Sequence, residues 1–87
     1  MATVHIPPTL RRFTDGQEKA DVEGRTLRQV IEALDRRFPG LRDQLVKDGT
    51  IRSGLAFAID DVLTEDGLVT AIPEDASILI LPAIAGG

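Results

Sequence analysis

The chain has 87 residues, 43% of them hydrophobic and 28% charged, which predicts one globular domain with a single compact core rather than a disordered or membrane-embedded protein. The net charge of −4 and the scattering of the arginines in pairs disfavour nucleic-acid binding, since phosphates are met by a concentrated basic surface. The absence of cysteine excludes disulfides and thiolate metal sites, and with no apolar signal segment and no run long enough to cross a bilayer, we expect a cytoplasmic protein that binds no membrane.

The first quarter of the chain predicts a β-hairpin. Val4 and Ile6 alternate with polar residues, and the prolines that follow cannot donate backbone hydrogen bonds, so the first strand is short. A turn-rich stretch leads to residues 18–23, which we expect to pair back as the second strand.

A helix follows. Thr26 and Gln29 have the spacing of a capping box, and a proline-glycine pair at 39–40 ends the element. Between them, apolar residues recur at helical spacing and predict one buried stripe: Leu27, Val30, Ile31, Leu34 and Phe38. Leu41, Leu45 and Val46 predict a further short helical turn under the same core.

The second half of the chain predicts strands. The segment LAFAI at 55–59 alternates large and small residues, and Asp60 with Asp61 predicts a turn after it. A ragged segment over 62–72 and a turn at 73–75 lead to the last strand, SILIL, at 77–81. Two strands, a helix and further strands indicate an α+β fold of the β-grasp (ubiquitin-like) type, with a mixed sheet of four to five strands and one main helix.

The last strand is apolar on both faces, although one helix covers only one face of a sheet. If Ile78 and Ile80 meet the helix, the opposite face carries a contiguous apolar patch, and exposed patches of this kind mark interaction sites. We therefore predict a partner-docking patch formed by Leu79, Leu81, Ala56 and Ala58. The alternative is that the loop over 61–72 folds over this surface.

The chain carries no recognisable catalytic machinery. His5 is the single histidine and is expected to be a surface residue, and no nucleotide-binding or zinc motif occurs. The paired carboxylates at 60–61, 65–66 and 74–75 all fall at expected turns, so solvated turn residues are favoured over a metal site. We predict no catalytic residue, no metal and no bound cofactor.

The sequence ends on LPAIAGG, an apolar run leading into two glycines. Glycine passes through slots too narrow for a Cβ, so Gly86 and Gly87 can bring a terminal carboxylate to a reacting centre. A carboxylate becomes an acyl donor only after activation, for example by adenylation with ATP bound to a partner enzyme. Alone, a terminal glycine pair is a weak signal, but after a strand that is apolar on both faces in a β-grasp pattern it is much stronger.

These features resemble the ubiquitin-like sulfur carriers, the group of the molybdopterin synthase small subunit and the thiamine-biosynthesis carrier. TAIPEDASILILPAIAGG is similar to their C-terminal signature, and IPPTLRRFTDGQ with GRTLRQVIEALDRRFPGL looks most like the branch that contains the sulfur carrier for cysteine synthesis. The resemblance covers essentially the whole chain, taken as one domain over 1–87 with a flexible glycine tail. The turn at 60–61 is tighter than is typical of this branch.

The resemblance implies that Gly87 is adenylated and converted to a thiocarboxylate, with Gly86 and Ala85 passing through the partner's slot. It implies three kinds of partner: an ATP-dependent activating enzyme, a sulfur-accepting synthase and a metalloprotease that cleaves the product. The chain itself would be a cosubstrate, not an enzyme. Two alternatives share the same end: a protein modifier conjugated to lysines through Gly87, and the small subunit of molybdopterin synthase. A β-grasp adaptor with an incidental glycine pair is a fourth interpretation.

Overall fold

The last strand of the chain lies at the centre of a five-stranded mixed sheet. The computed structural model describes residues 1–82. In chain order the strands are β1 (Ala2–His5), β2 (Lys19–Val22), β3 (Val46–Lys47), β4 (Thr50–Ile51), β5 (Leu55–Ile59), β6 (Val62–Leu63) and β7 (Ser77–Pro82). The sheet order is β2-β1-β7-β5-β6, with β1 and β7 parallel and the other neighbours antiparallel, while β3 and β4 form a separate small hairpin. The structure confirms the predicted β-grasp.

Helix α1 (Leu27–Arg37) crosses the sheet, and its ends are fixed by the residues that the sequence indicated. The Thr26 side-chain oxygen accepts from the Gln29 N–H at 3.3 Å, and the Gln29 side chain accepts in return from the Arg25 N–H at 2.8 Å. The second bond reaches one residue further out than in the usual capping box. Both satisfy amide donors that have no partner within the helix.

A short helix, α2 (Leu41–Leu45), follows α1 directly. Gly40 has φ +97°, which suits glycine and lets the chain reverse between the two helices. An Asp35 carboxylate oxygen accepts from the backbone N–H groups of Gly40 and Arg42 at 3.1 and 3.0 Å, which fixes the junction. The predicted helical turn is confirmed, except that Val46 leaves it in extended conformation and begins β3. No helix within 1–82 is both long and apolar enough to cross a membrane.

The core lies between α1 and the inner face of the sheet. All five residues of the predicted helix stripe are buried, as are Val4, Ile6, Phe57, Ile59, Ile78 and Ile80 from the strands. Leu55 is half-buried and packs against the edge of this core. The alternation that assigned these side chains to one face is therefore confirmed.

Four short elements were not predicted: two 3-10 turns, the hairpin of β3 and β4, and the edge strand β6. Residues Pro8–Phe13 and Gly67–Val69 form 3-10 turns, and β3 and β4 form a hairpin after α2. Each is too short to show a periodic apolar pattern. After the first turn, the fully buried Thr14 hydroxyl lies within hydrogen-bonding distance of the carbonyls of Arg11 and Gln17, at 3.2 and 3.0 Å. These polar contacts add to the packing of Leu10 in the core.

Phe57→Ala tests the core. Phe57 is 1% exposed at the centre of the sheet, and truncation of a buried phenylalanine costs about 3–5 kcal/mol, a large share of a small domain's stability. Thermal unfolding followed by circular dichroism should show a large loss of melting temperature. The exposed control Val69→Ala should change it little. A Phe57→Ala protein that melts with the wild type would contradict the core assignment.

Gly24→Ala tests a close approach between the chain and α1. An added Cβ would lie 2.7 Å from the Val30 backbone nitrogen and 2.8 Å from the Val30 Cγ2. The backbone contact cannot be relieved by a rotamer change, so we expect a loss of about 1–3 kcal/mol, the usual range for overpacking. Urea unfolding measures it. Introducing Gly24→Ala into a Val30→Ala protein, whose own cavity cost is measured separately, removes only the side-chain contact and should still lower the free energy of unfolding, by less than in the wild-type background. No loss in that background would contradict the backbone clash.

Candidate partner-docking surface

The strand that leads to the glycine tail is β7. Ala85, Gly86 and Gly87, the predicted reactive end, lie outside the described residues. β7 pairs with β1 over its first half and with β5 from Ile78 onward, and its last described residue, Pro82, is paired with Leu55. Because β7 is central in the sheet, its described end at Pro82 is held by strand pairing on the core rather than by a loop.

The four residues of the predicted docking patch lie together on the outer face of the sheet. Within β7, Ile78 and Ile80 point to the core, so Leu79 and Leu81 point the other way. The antiparallel register with β5 sets Leu79 beside Ala58 and Leu81 beside Ala56. Sequence parity therefore predicted the right residues and the right neighbours. Their role in docking stays a prediction.

The patch has a shape that the sequence did not predict. Ala58 is only 4% exposed although it lies outside the core cluster, because Leu79 flanks it on β7 and Leu63 flanks it on β6. Leu63 itself is 59% exposed. Two alanines thus form the floor and leucines the walls of a shallow apolar depression. We call this surface the leucine trough, and it comprises Ala56, Ala58, Leu63, Leu79 and Leu81.

The alternative, in which the loop over 61–72 folds over this surface, is wrong. Beyond β6 the loop turns to the helix side of the sheet, where Leu68 packs against the core. The Leu27 N–H donates to the Thr70 carbonyl and the Ile72 N–H to the Arg25 carbonyl, both at 2.9 Å. These bonds hold the loop beside the start of α1. The part of the loop that reaches the leucine trough is β6, which forms its wall.

The rest of the outer face is polar. Thr3 Oγ1 donates to an Asp21 carboxylate oxygen at 2.6 Å, and His5 Nε2 lies 3.1 Å from the Ser77 hydroxyl. His5 is half-buried beside Leu79 in the neighbouring strand, at the border of the trough. Its hydrogen bond to a strand hydroxyl fits the surface role expected for it. The outer face is therefore divided into a polar half over β1 and β2 and an apolar half over β5 to β7.

Asp60 and Asp61 form the turn between β5 and β6. Asp60 and Asp61 have φ of +49° and +70°, as in the two-residue turns that match the twist of paired strands. An Asp60 carboxylate oxygen accepts from the Ser77 N–H at 2.8 Å, and the Asp60 N–H donates to the Ser77 carbonyl at the same distance. The tight turn was predicted; its hydrogen bonds to β7 were not. Within residues 1–82, no three His, Cys, Asp or Glu side chains are placed to hold a metal ion.

Leu63 is the functional candidate that sequence reasoning missed. A two-residue turn at 60–61 forces Ile59 to pair with Val62 and Ala58 with Leu63, so the register follows from the turn alone. That signal was present in the sequence, but a strand of two residues shows no alternation from which to recognise it.

Comparison with known proteins gives a consistent family. The model of the ThiS family matches residues 4–87. The sulfur carrier protein CysO of Mycobacterium tuberculosis is 37% identical over 90 residues, which cover 98% of this chain and 97% of that protein. Small archaeal modifier protein 3 of Haloferax volcanii is 27% identical over 64 residues, which cover 71% of this chain and 70% of the relative.

Solved structures agree with these matches. A chain in the crystal structure of the Amycolatopsis orientalis BexX/CysO complex superposes with a TM-score of 0.93 at 29% identity, over the whole of both chains. The crystal structure of M. tuberculosis CysO superposes with a TM-score of 0.90 at 32% identity, covering 97% of this chain and all of the other.

Leu81→Asp tests the leucine trough. Leu81 is half-buried on the outer face, so a carboxylate there should leave the fold largely intact while weakening binding to the activating enzyme that the family resemblance implies. Isothermal titration calorimetry measures the binding and circular dichroism the fold. Its matched control is Ile80→Asp, one residue earlier and 3% exposed, which should unfold the domain because it buries an unpaired charge. Loss of folding in Leu81→Asp as severe as in Ile80→Asp would show that the trough belongs to the core.

Proposed function

Because the chain belongs to the ThiS family of ubiquitin-like sulfur carriers, we propose that it carries sulfur as a thiocarboxylate on Gly87. The observation that supports this most directly is the placement of β7. The central strand presents an apolar outer face and continues in sequence into Ala85, Gly86 and Gly87. A partner that covers the leucine trough is thereby positioned to receive the tail.

The proposed chemistry has two steps, and both take place in partner proteins. In the first, the Gly87 carboxylate attacks the α-phosphorus of ATP, forming an acyl adenylate and releasing pyrophosphate. In the second, a sulfide-level nucleophile such as hydrosulfide attacks the acyl carbon and displaces AMP, so a C–S bond replaces the C–O bond to the nucleotide and the proton of the hydrosulfide passes to solvent. The thiocarboxylate then delivers its sulfur as a nucleophile to a sulfur-accepting synthase.

The chain's own contribution is binding and presentation. Sulfur carriers are not enzymes themselves, and here the nucleotide site is assigned to the activating enzyme, with no cofactor held by the carrier. The residues with roles are Gly87, which bears the sulfur, and Gly86 and Ala85, which pass through the partner's slot. The absence of any cysteine suits this role, because a nearby thiol could be acylated by the activated end.

Cysteine, or a related sulfur metabolite, is the proposed product. Support comes from the 37% identity to M. tuberculosis CysO over nearly the whole of both chains. If the sulfur attacks an electrophilic amino-acid precursor while it is still bonded to Gly87, a thioester forms, and attack of the amino group on the acyl carbon then breaks the C–S bond and makes an amide. The metalloprotease expected as a third partner would hydrolyse this amide, releasing the sulfur-containing amino acid and restoring the Gly87 carboxylate. We propose that all of these reactions take place in the cytoplasm.

A protein modifier is the second candidate, favoured by the match to small archaeal modifier protein 3. The same acyl adenylate would be attacked by a lysine amine to form an isopeptide bond. Immunoblotting of lysates distinguishes the two: a ladder of higher-mass species supports conjugation, and one free band supports sulfur transfer.

The tail is tested by three variants that should abolish adenylation and leave the fold intact. Deleting Gly87 removes the carboxylate that would be adenylated, and appending one residue converts that carboxylate to an amide. Gly86→Val adds a Cβ and two methyl groups where the partner's slot admits no side chain. Pyrophosphate release with the activating enzyme is the assay, and circular dichroism is the folding control.

The appended variant is the decisive one of the three because it keeps both glycines and a free C-terminal carboxylate and only moves that carboxylate one residue away from Gly87. Undiminished pyrophosphate release from it, with intact mass showing that no protease trimmed the added residue, would refute activation at Gly87.

A further inference from the structure

Charge is divided unevenly along the chain. All ten lysines and arginines lie at or before Arg52, whereas residues 53–87 hold six carboxylates and no basic side chain. The six are Asp60, Asp61, Glu65, Asp66, Glu74 and Asp75. All of them are exposed, and they lie on the turns and loops around β6 and the start of β7. The edge of the sheet at β6 and the turn before β7 are therefore strongly acidic.

Beside β6, the acidic surface forms a groove of about 350 Å³ between the hairpin of β5 and β6 and the segment at 70–73. Its lining combines exposed apolar side chains with carboxylates. Val62 is 67% exposed and Leu63 59%, and Asp60, Glu65 and Asp66 lie with them. The lining includes no basic residue.

The groove suits a cationic side chain better than a metal ion or an apolar segment. Within residues 1–82, no group of acids is arranged to hold a metal. The two ion pairs found within residues 1–82 involve Glu18 and Asp75. Neither Glu65 nor Asp66 pairs with a cation in this part of the chain. Arginine and lysine place an aliphatic stem on apolar surface and a charge among carboxylates, which matches the lining described.

We propose that this groove, which we call the acidic groove, binds an arginine- or lysine-bearing segment of the activating enzyme. The proposal rests on the function proposed above. β6 is the edge strand, with the leucine trough on its outer face and the acidic groove on its helix side, and Leu63 contributes to the lining of both. A partner seated on the leucine trough reaches the acidic groove by extending around this edge. The trough supplies apolar contact, and the groove supplies attraction that orients the two proteins before the tail enters.

The test variant is Glu65→Gln/Asp66→Asn, which removes two charges from the acidic groove and keeps the size of the side chains. Neither carboxylate makes a hydrogen bond within residues 1–82, and Asp66 provides no side-chain cap to the 3-10 turn after it. The matched control is Glu32→Gln/Asp48→Asn, on the helix side and in the loop between β3 and β4. Asp48 has φ +53°, which asparagine tolerates. Both variants change the net charge equally.

The first measurement is an NMR titration with the amidated peptide Arg-Leu-Arg-Leu-Arg at low ionic strength. We expect shifts of the backbone amides at 59–66 and 70–72 that disappear with added salt, and binding about fivefold weaker in the test variant, as expected for two exposed charges. The control variant should bind as the wild type does. Shifts elsewhere, or equal weakening in both variants, would overturn the proposal.

The second measurement is pyrophosphate release with the activating enzyme over a range of salt concentrations. The test variant should raise KM at low salt with kcat unchanged, and its KM should depend less on salt than that of the wild type or the control. An unchanged KM in the test variant would overturn the assignment of the enzyme as occupant. If the wild type itself releases no pyrophosphate, the proposed function fails and this assignment fails with it, while the peptide titration still decides whether the groove binds cations.

Discussion

The pairing of β7 between β1 and β5 is the constraint on which the rest of the structure depends. Its parallel contact with β1 brings the two ends of the chain into one sheet, and its antiparallel contact with β5 sets the register of the outer face. Ile78 and Ile80 close the core under α1, so the same strand that completes the fold must turn Leu79 and Leu81 outward. The core and the proposed partner-docking surface thus use opposite faces of one strand.

The proposed carrier function needs a stable base for the reactive end, and β7, which is central in the sheet, is paired as far as Pro82. The leucine trough lies on the outer face beside this paired end. The polar half of the face, with its bonds between Thr3 and Asp21 and between His5 and Ser77, limits the apolar surface to one side.

Much of this could be predicted from the sequence because the main elements have strong periodicity. The helix stripe, the alternation in β5 and the two apolar faces of β7 each follow from spacing alone, and together they predicted the fold, the core and the four patch residues. The resemblance of LPAIAGG and LRRFTDGQ to sulfur carriers supplied the family, which composition and spacing do not contain.

The elements that were missed are short or depend on long-range contacts. β6 has two residues, so only the turn at Asp60 and Asp61 determines that Leu63 lies beside Ala58. The course of the loop to the helix side depends on backbone hydrogen bonds from Leu27 and Ile72 to distant carbonyls, which local sequence does not indicate. The acidic groove likewise requires β6 and the segment at 70–73 to be adjacent in space. Each case is a tertiary contact between segments that carry little pattern of their own.

In the proposed function, the C-terminal carboxylate of Gly87 becomes a thiocarboxylate. Intact-mass analysis of the protein purified from its native host under mild, non-nucleophilic conditions tests this most directly, with fragmentation to locate the change. A thiocarboxylate carrier should contain a population in which sulfur replaces one oxygen of the Gly87 carboxylate, with the change confined to the fragment containing Gly87. A protein that carries only an unmodified carboxylate, from cells starved of cysteine as well as from replete cells, would contradict it.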